Sequence, residues 1–360
     1  MISERKILLK PEDFKPSFPK WNVEGVLNPA AIRLPNGKIV LFIRVAEKHT
    51  QELGKGMTCP VIVSHGDYHM GSEKLKRAEI ISKEGNVIYL KGGICRLSNI
   101  SHFRKVLLSE DGINIEKISD FPDFTGSDKG EEYGVEDARI VKIGKEYFMT
   151  YVTVSRYTGI SSSLAESKDL KKWKRRGIIF REQNKDVVLF PEKIKGRYVA
   201  LNRPESFYEF HRPAVWISYS PDLVYWGDED ILLLPREDSW ESDRIGAGPP
   251  PLKIEKGWLL IYHGVKKLGE DKYVYGAGAV LLDSRNPRKI IARTSRKKPL
   301  FSAVKSYEKM LGESKKVIFP TGLVLDLNGR DLLVYSGAGD RVVGVMKISV
   351  DEVLKSMEYY

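Results

Sequence analysis

The sequence is poor in cysteine and has no long apolar run. Its 360 residues include only two cysteines, Cys59 and Cys95, which fit no metal-ligand spacing and exclude a fold held together by several disulfides. No stretch approaches the ~18 consecutive apolar residues of a membrane-spanning helix, and the N-terminus lacks the apolar core of a secretory signal. We therefore expect a soluble, cytoplasmic protein with reduced thiols and no membrane partner.

Motifs that define several common enzyme classes are also missing. The sequence contains no phosphate-binding Walker loop and no dinucleotide-binding GxGxxG followed by an acidic residue. It contains neither the HExxH zinc motif nor the GxSxG nucleophile motif. We therefore predict that the protein uses no metal and no organic cofactor.

The charge balance is basic, because 59 Lys and Arg residues stand against 48 Asp and Glu residues and give a net charge of +11. Such a balance suits an anionic partner, which could be phosphate, a nucleotide, nucleic acid or a membrane. The charges are interspersed, however, as in residues 168–176, and aromatic residues do not alternate with a basic run. The pattern predicts no nucleic-acid partner and indicates that most of these charges are solvated.

The dominant feature of the sequence is a block of residues that recurs about five times. Each copy has a short apolar strand, a turn with glycine and a second apolar strand that ends in a polar residue. The second strands are Lys38–Arg44, Glu146–Tyr151, Arg197–Arg203, Trp258–His263 and Asp331–Ser336. A repeat of about 50–70 residues with four short strands is typical of a β-propeller.

The predicted fold is therefore all-β. We expect one domain over residues 1–360, a five-bladed β-propeller with an irregular insertion at about 46–100 in blade one. A loop is predicted over residues 1–25, and helices are predicted at about 302–312 and 350–358.

Polar residues that are distant in sequence should converge in such a fold. The first strand of each blade lines the central channel, and the second strand runs antiparallel beside it. The start of the first strand and the end of the second strand therefore lie at the same face of the propeller. The strand-one candidates are Asn28, Glu136, Asp137, Glu192, Lys193, the run 248–251 and Thr321. The strand-two candidates are Arg44, Tyr151, Arg203, His263 and the turn 337–340. A buried carboxylate is costly unless it is paired or protonated, so a strand that opens on Val-Glu-Asp indicates acids that face a cavity.

Plain structural roles stay open for these candidates. Asp137 could simply pair with Arg139, and His263 could be a satisfied core histidine. Solvated, ion-paired or turn-forming roles stay open for Lys193, Arg44, Arg203 and Asp340.

The motifs resemble those of glycoside hydrolase family 130, the five-bladed β-mannoside phosphorylases. The matching segments are 28–30 with 42–45, 134–139, 185–193, 218–223, 245–251 with 261–264, and 319–322 with 335–340. They occur in the family's order over about residues 26–345. Residues 205–212 replace a Gly-rich loop of the family, with the sequence Glu-Ser-Phe-Tyr-Glu-Phe-His-Arg.

The resemblance implies an inverting phosphorylase that cleaves a terminal β-mannoside with inorganic phosphate and yields α-mannose 1-phosphate. Asp137 corresponds to the family's general acid, which is thought to act through a sugar hydroxyl. Phosphate is itself an anionic nucleophile, so cations take the place of the second carboxylate that an inverting hydrolase needs. The predicted phosphate-binding residues are Arg156 and Arg175, from the resemblance, and Lys193 and His263, from the shared face. The predicted sugar-binding residues are Asn28, Arg44, Glu136, Arg203 and Asp340.

Two other functions stay open, a β-mannoside hydrolase of the same fold and a non-catalytic carbohydrate-binding propeller. The expected partners are a small β-mannoside and phosphate, which acts as a co-substrate, and a homo-oligomer stays open. Neither the acceptor sugar nor the linkage can be read from the sequence. The insertion and the loop 205–212, with Phe207, Tyr208 and His211, are expected to border the acceptor side because specificity in propellers lies in the loops at the channel mouth.

Overall fold

The computed structural model describes residues 4–50, 52–53, 56–65, 67–127, 129–206, 210–270, 272–310 and 315–360. Strands make up almost all of the regular structure of these residues, and the one α-helix among them, α1, spans Val350–Lys355. The prediction of an essentially all-β protein is confirmed. None of the described helices is long and apolar enough to cross a membrane.

The N-terminal part of the chain forms one large sheet, called sheet I here, and two small ones. Its strands are β1 (Glu4–Leu9), β2 (Trp21–Arg33), β3 (Ile39–His49), β4 (Glu52–Leu53), β5 (Gly56–His65), β6 (Asp67–Lys76), β7 (Ile80–Glu84), β8 (Val87–Leu90), β9 (Ile94–Leu97), β10 (Asn99–Leu108) and β11 (Ile115–Ile118). Sheet I has the order β2-β3-β10-β11, and the small sheets have the orders β4-β5-β6 and β7-β8-β9. The stretch in which the sequence predicts an irregular insertion thus contains two regular sheets, inserted between β3 and β10.

The middle of the chain forms two four-stranded antiparallel sheets, sheets II and III. Their strands are β12 (Val135–Ile143), β13 (Glu146–Ser155), β14 (Gly159–Ser167), β15 (Lys174–Phe180), β16 (Asn184–Leu189), β17 (Tyr198–Pro204), β18 (Val215–Ser220) and β19 (Gly227–Leu233). Sheet II has the order β12-β13-β14-β15 and sheet III the order β16-β17-β18-β19. Ser-x-Asp turns close the outer hairpins. In one of them Ser167 Oγ accepts from the N–H of Leu170, and Asp169 Oδ1 accepts from the N–H of Lys171.

The C-terminal part forms sheets IV and V. The strands are β20 (Arg244–Ala247), β21 (Leu252–Ile254), β22 (Gly257–Gly269), β23 (Lys272–Leu282), β24 (Ile290–Thr294), β25 (Phe301–Ser302), β26 (Ile318–Leu325), β27 (Asp331–Ala338), β28 (Val342–Ser349) and β29 (Met357–Tyr359). Sheet IV has the order β20-β22-β23-β24-β29, with β21 beside β22 and β25 beside β23. Sheet V has the order β26-β27-β28-β1, so the N-terminal strand completes the last sheet.

Two local predictions are wrong. The loop predicted over residues 1–25 contains β1, which is a strand because it pairs with β28 and buries Leu9 completely. The helix predicted at about 302–312 is, in its described part, only the 3₁₀ turn Ser306–Glu308. The buried Glu308 carboxylate accepts from the backbone N–H groups of Val304 and Lys305, and these bonds favour a tight turn over a continuing helix. The other 3₁₀ turns are Pro11–Asp13, Arg77–Glu79 and Lys129–Glu131.

The core lies between the large sheets rather than at one centre. Five apolar clusters of buried side chains join sheet I to II, II to III, III to IV, IV to V, and V back to I. The inner strands also touch in this order, since β2 contacts both β12 and β26, β12 contacts β16, β16 contacts β20, and β22 contacts β26. Each large sheet is therefore packed on two neighbours, and the first and last are neighbours as well.

Candidate active site

Bulges interrupt the inner strands of four sheets. The ladder shifts register in β2, β12, β16 and β26. At three of these bulges a polar residue adopts the left-handed backbone conformation, namely Asn28 (φ 42°), Asp137 (φ 52°) and Asp186 (φ 56°). Neighbouring side chains of a regular strand point to opposite faces, whereas a bulge turns one of them aside. The bulges therefore let consecutive polar residues, such as Glu136 and Asp137, serve one site.

A cavity of about 540 Å³ lies beside these bulges. Seven of the predicted site residues line it: Asn28, Arg44, Glu136, Asp137, Arg203, His263 and Asp340. Arg44, Arg203 and His263 occupy matching positions in the second strands β3, β17 and β22. The structure brings these seven residues together, and their roles stay predictions. Among the described residues, no group of three or more His, Cys, Asp or Glu is arranged to hold a metal ion.

One arginine bridges the two neighbouring carboxylates of this cavity. Asp137 Oδ1 accepts from Asn28 Nδ2 at 2.7 Å and from Arg44 Nη1 at 3.0 Å. The other end of the same guanidinium donates from Nη2 to Glu136 Oε1 at 2.6 Å. Such charge-assisted hydrogen bonds fix the orientation of both carboxylates.

The pKa values of these carboxylates shift in opposite directions. Burial alone would raise the pKa of Asp137, but the charges of Arg44 and Arg139 and the hydrogen bonds from Asn28 and Arg44 outweigh it and lower that pKa. Burial raises the pKa of Glu136 above its ordinary value and outweighs the positive charge of Arg44, which lowers it, and the negative charge of Asp137 adds to the rise. At neutral pH this environment therefore favours the ionised form of Asp137.

Arg139 does not pair with the carboxylate of Asp137, which was the plain structural alternative for that residue. Its Nη1 donates to the backbone carbonyl of Asp137 at 2.8 Å, and its Nε donates to the carbonyl of Gly248 at 2.7 Å. Arg139 is only 2% exposed. It thus stabilises the backbone of the bulge and joins sheet II to sheet IV, while the Asp137 side chain stays with Asn28 and Arg44.

A second part of the cavity is basic. Arg203 Nη1 lies 3.0 Å from His263 Nε2 and 2.7 Å from Asp186 Oδ2. Lys185 and Arg244 line the same cavity. The cavity therefore combines the acidic part around the bulge of β12 with a basic part formed by β16, β17, β20 and β22.

His263 in this basic part is neutral at ordinary pH. Burial lowers the pKa of His263 well below its usual value, and the positive charges of Arg203, Arg139, Arg244 and Lys185 lower it further. Since Nε2 lies at hydrogen-bond distance from a guanidinium donor, the neutral ring carries its hydrogen on Nδ1. His263 Nδ1 has no hydrogen-bond partner in the described part of the chain. This residue can therefore offer an N–H group rather than a positive charge.

Lys193 does not reach the cavity. It lies in the turn between β16 and β17, where its Nζ is 4.2 Å from the centre of the Tyr198 ring. The cavity end of β16 carries Asp186, whereas Lys193 follows the other end of the strand, beyond Leu189. The prediction that Lys193 shares the cavity face is wrong, because the inner strand of sheet III begins at Asn184 and not near Glu192.

Arg156 and Arg175 also lie apart from the cavity lining. Arg156 Nε is 3.3 Å from Glu132 Oε1, in the turn between β13 and β14. Arg175, on the outer strand β15, has its Nε 3.1 Å from Glu131 Oε2 and its guanidinium 4.1 Å from the centre of the Phe124 ring. The structure therefore pairs each of these arginines with a carboxylate of sheet II or of the segment before it, and does not bring them to the cavity.

The sequence prediction missed Lys185, Asp186 and Arg244. Lys185 and Asp186 precede the apolar run 187–190 in the way that Glu136 and Asp137 precede the apolar part of β12. This parallel is a signal that could have located the first two residues. Arg244 carries no comparable signal, since it is one of several charged residues that precede a short strand.

One of the inserted sheets reaches the cavity. Asn86, in the turn between β7 and β8, and Asn99, at the start of β10, both line it. The Ser98 N–H donates to the carbonyl of Asn86 at 2.8 Å and thereby fixes this turn. Phe207 and Tyr208 lie outside the described residues. His211 is exposed and does not line the cavity.

Comparison with known proteins shows similarity to mannoside phosphorylases. The family described as beta-1,4-mannooligosaccharide phosphorylase matches residues 96–359. A beta-1,2-mannobiose phosphorylase from Listeria innocua is 33% identical over 359 residues, which cover 99% of this chain and 97% of that protein. A 1,2-beta-oligomannan phosphorylase from Thermoanaerobacter sp. is 39% identical over 254 residues, which cover 68% of this chain and 78% of that protein.

Solved structures share the fold over nearly the whole chain. The beta-1,2-mannobiose phosphorylase from Listeria innocua, in its beta-1,2-mannobiose complex, matches with a TM-score of 0.83 at 32% identity and covers 97% of this chain and 96% of that one. A glycosyl hydrolase from Bacteroides ovatus matches with a TM-score of 0.70 at 22% identity, covering 96% of this chain and 91% of that one. The second likeness concerns the fold alone.

Proposed function

Because the chain belongs to glycoside hydrolase family 130, we propose that it is an inverting phosphorylase that cleaves terminal β-mannosides with inorganic phosphate into α-mannose 1-phosphate and a shortened acceptor. The observation that carries this proposal is a cavity in which the hydrogen-bonded carboxylate of Asp137 shares the space with a basic group around Arg203. Phosphate is already an anionic nucleophile, so it needs cations to hold it and no second carboxylate to activate water.

The phosphate site of this proposal consists of Lys185, Arg203, Arg244 and His263. It replaces the three predicted basic residues that lie away from the cavity. Its support is that the first three side chains are cations that line the cavity and the fourth offers a neutral N–H. Charge-assisted contacts to phosphate are worth about 1.5–3 kcal/mol each, and several of them together suffice to hold a small anion.

The mannosyl group is held by Asn28, Arg44, Glu136 and Asp340, with Arg203 between the sugar and the phosphate. Asn28 is 7% exposed, and its Oδ1 has no hydrogen-bond partner in the described structure, while its Nδ2 donates to the catalytic carboxylate. A buried acceptor without a partner is costly. A sugar hydroxyl that donates to Asn28 Oδ1 removes that cost.

Asp137 supplies the proton to the leaving oxygen. A phosphate oxygen attacks the anomeric carbon while the bond from this carbon to the acceptor oxygen breaks, and the acceptor oxygen takes a proton from Asp137 through a mannosyl hydroxyl. Attack opposite the breaking bond converts the β-mannoside into the α-phosphate. Arg44 and Asn28 hold the pKa of Asp137 low, and a phosphate dianion bound beside the carboxylate raises it. When the phosphate ester has formed, the phosphate group releases a proton, and this proton returns Asp137 to its protonated form.

The proposed linkage is β-1,2. The two relatives named above are called phosphorylases of 1,2-linked mannosides, and one of them matches this chain over almost its full length. The acceptor released is then mannose or a β-1,2-manno-oligosaccharide. In this proposal the acceptor extends toward Asn86 and Asn99, which line the cavity.

The proposal includes a five-bladed β-propeller in which sheets I to V are the blades of one domain over residues 1–360. Its support is that the apolar clusters and the inner strands connect the sheets in a cyclic order, with sheet V beside sheet I. It also includes a cytoplasmic location, small-molecule partners in place of nucleic acid or membranes, and no cofactor besides the co-substrate phosphate.

The test is incubation of β-1,2-mannobiose and β-1,4-mannobiose with and without phosphate. We expect consumption of the 1,2-linked disaccharide only when phosphate is present. Equal release of mannose in both conditions would identify a hydrolase, and binding without any product would identify a carbohydrate-binding protein. Preferential use of the 1,4-linked disaccharide would contradict the proposed β-1,2 linkage and leave the proposed phosphorolysis intact.

A further inference from the structure

Both ends of the Arg203 guanidinium are engaged with carboxylates of this chain. Nη1 lies 2.7 Å from Asp186 Oδ2, and Nη2 donates to Glu205 Oε1 at 2.5 Å. Glu205 Oε1 also lies 3.9 Å from Lys185 Nζ. Two of the cations assigned to phosphate therefore already share an anion, and that anion belongs to the protein.

The two carboxylates on Arg203 differ in how tightly they are held. The Asp186 side chain is 2% exposed and sits in the bulge of β16 beside Arg139 and His263. The Glu205 side chain is 26% exposed and follows the end of β17. If Asp186 lost its contact with Arg203, it would be left as an unpaired buried charge, which is costly. Glu205 can lose the same contact and turn toward water. Glu205 is thus the partner that an incoming anion can replace.

We propose that Glu205 is a built-in competitor for phosphate, a carboxylate that occupies Arg203 and Lys185 until phosphate takes its place. The inference rests on the phosphate site proposed above. Both anions accept charge-assisted hydrogen bonds from the same guanidinium, so the affinity for phosphate is reduced by the strength of the internal contact.

Competition and a supporting role for Glu205 predict opposite effects of its neutralisation on the affinity for phosphate. If Glu205 only positioned Arg203 for phosphate, its neutralisation would weaken phosphate binding. If Glu205 competes with phosphate, its neutralisation strengthens phosphate binding, because Arg203 and Lys185 lose a negative neighbour. The Michaelis constant for the mannoside should change less than that for phosphate, since Lys185 is assigned to phosphate alone and Glu205 does not line the cavity.

The experiment compares wild type, Glu205→Gln and a matched control, Glu192→Gln. Glutamine keeps the size of the side chain and an oxygen that accepts from Arg203. Glu192 likewise contacts a cation at 2.5 Å, Lys253, but at the protein surface. The readouts are the phosphate and mannobiose Michaelis constants and the phosphate-induced rise in melting temperature without sugar. We expect Glu205→Gln to lower the phosphate constant about three- to tenfold, to enlarge the thermal shift and to change the mannobiose constant less than the phosphate constant, with Glu192→Gln like wild type.

An unchanged or higher phosphate constant in folded Glu205→Gln protein, with no larger thermal shift, would overturn the inference. Glu205→Asp is the second variant. It keeps the charge but withdraws it from Arg203, and an intermediate phosphate constant is expected. The thermal shift separates this inference from the proposed function. Wild type that consumes no mannoside with phosphate would contradict the function, and the shift would still report whether Glu205 competes with phosphate.

Discussion

Asp137 is held by contacts that favour its negative charge. Asn28 and Arg44 both donate to its Oδ1, and the pKa of Asp137 is lowered although burial acts in the opposite direction. A general acid with a low pKa in the free protein has to gain its proton when the anionic substrate binds. The hydrogen bonds therefore position the carboxylate, and the second substrate adjusts its protonation.

Replacement of Asp137 by asparagine tests this role. Asparagine preserves the size of the side chain and an oxygen that accepts from Asn28 and Arg44, so the fold should be retained. We expect turnover to fall by about 10²–10⁴, the range typical for loss of acid catalysis. Circular dichroism and the melting temperature check the fold, and near-normal turnover in a folded variant would remove Asp137 from the mechanism.

The assignment of phosphate to Lys185 and Arg244 is tested against Lys193. Lys185→Ala and Arg244→Ala should raise the phosphate Michaelis constant about tenfold to a hundredfold, the loss of one charge-assisted contact, with a smaller effect on mannobiose. Lys193→Ala should change neither constant, because Lys193 lies at the opposite end of β16. Steady-state kinetics with each substrate varied in turn provide the measurement. A selective phosphate defect in the Lys193 variant would refute the assignment.

At the scale of the elements, the bulges decide which side chains meet. The repeating glycine turns and apolar strands of the sequence were enough to predict the strand pattern of the sheets and the convergence of Arg44, Arg203 and His263. They could not reveal the left-handed backbone at Asp186, because an Asp before an apolar run is also compatible with a turn. Nor could they show that β1 pairs with β28, since that contact depends on residues more than 300 positions apart.

Gly246 on β20 gives an element-scale test, because the basic cluster packs directly on its Cα. A Cβ at this position would lie 2.5 Å from His263 Cε1 and 2.9 Å from Arg203 Nη1, and still closer to Asp186 Oδ2. Gly246→Ala should therefore raise the phosphate Michaelis constant at least about tenfold and lower the free energy of unfolding by about 1–3 kcal/mol.

The matched control is Gly227→Ala, where an added Cβ would meet nothing within 4 Å. It should leave phosphate affinity and the urea midpoint unchanged. Wild-type phosphate affinity in Gly246→Ala protein would show that the cluster has room to move and is not packed as described.

At the scale of the whole molecule, buried neutral histidines link stability to pH. His102 is 0% exposed and His263 is 1% exposed. Burial is the main reason that the pKa of His102 and the pKa of His263 are lowered. The unfolded chain then binds protons that the folded chain does not, so stability falls as the pH drops below the unfolded value of about 6.5 and is complete above it.

The expected slope is up to about 1.4 kcal/mol per pH unit for each such histidine below pH ~6.5. Urea unfolding at pH 7.5, 6.5 and 5.5 measures it. His102→Gln, which can keep a hydrogen bond to Glu47, should flatten the curve by the contribution of one histidine even if the variant is less stable at pH 7.5. An unchanged slope in this variant would show that His102 is not buried in its neutral form.

The configuration of the sugar phosphate tests the central claim most directly. β-1,2-Mannobiose is incubated with inorganic phosphate, and proton and phosphorus NMR spectra follow the anomeric signals before mutarotation or hydrolysis can alter them. The account predicts α-mannose 1-phosphate and mannose in equal amounts, with no sugar phosphate from a folded Asp137→Asn variant on the same timescale. Formation of β-mannose 1-phosphate, or of free mannose alone at a rate independent of phosphate, would contradict an inverting phosphorolysis in this cavity.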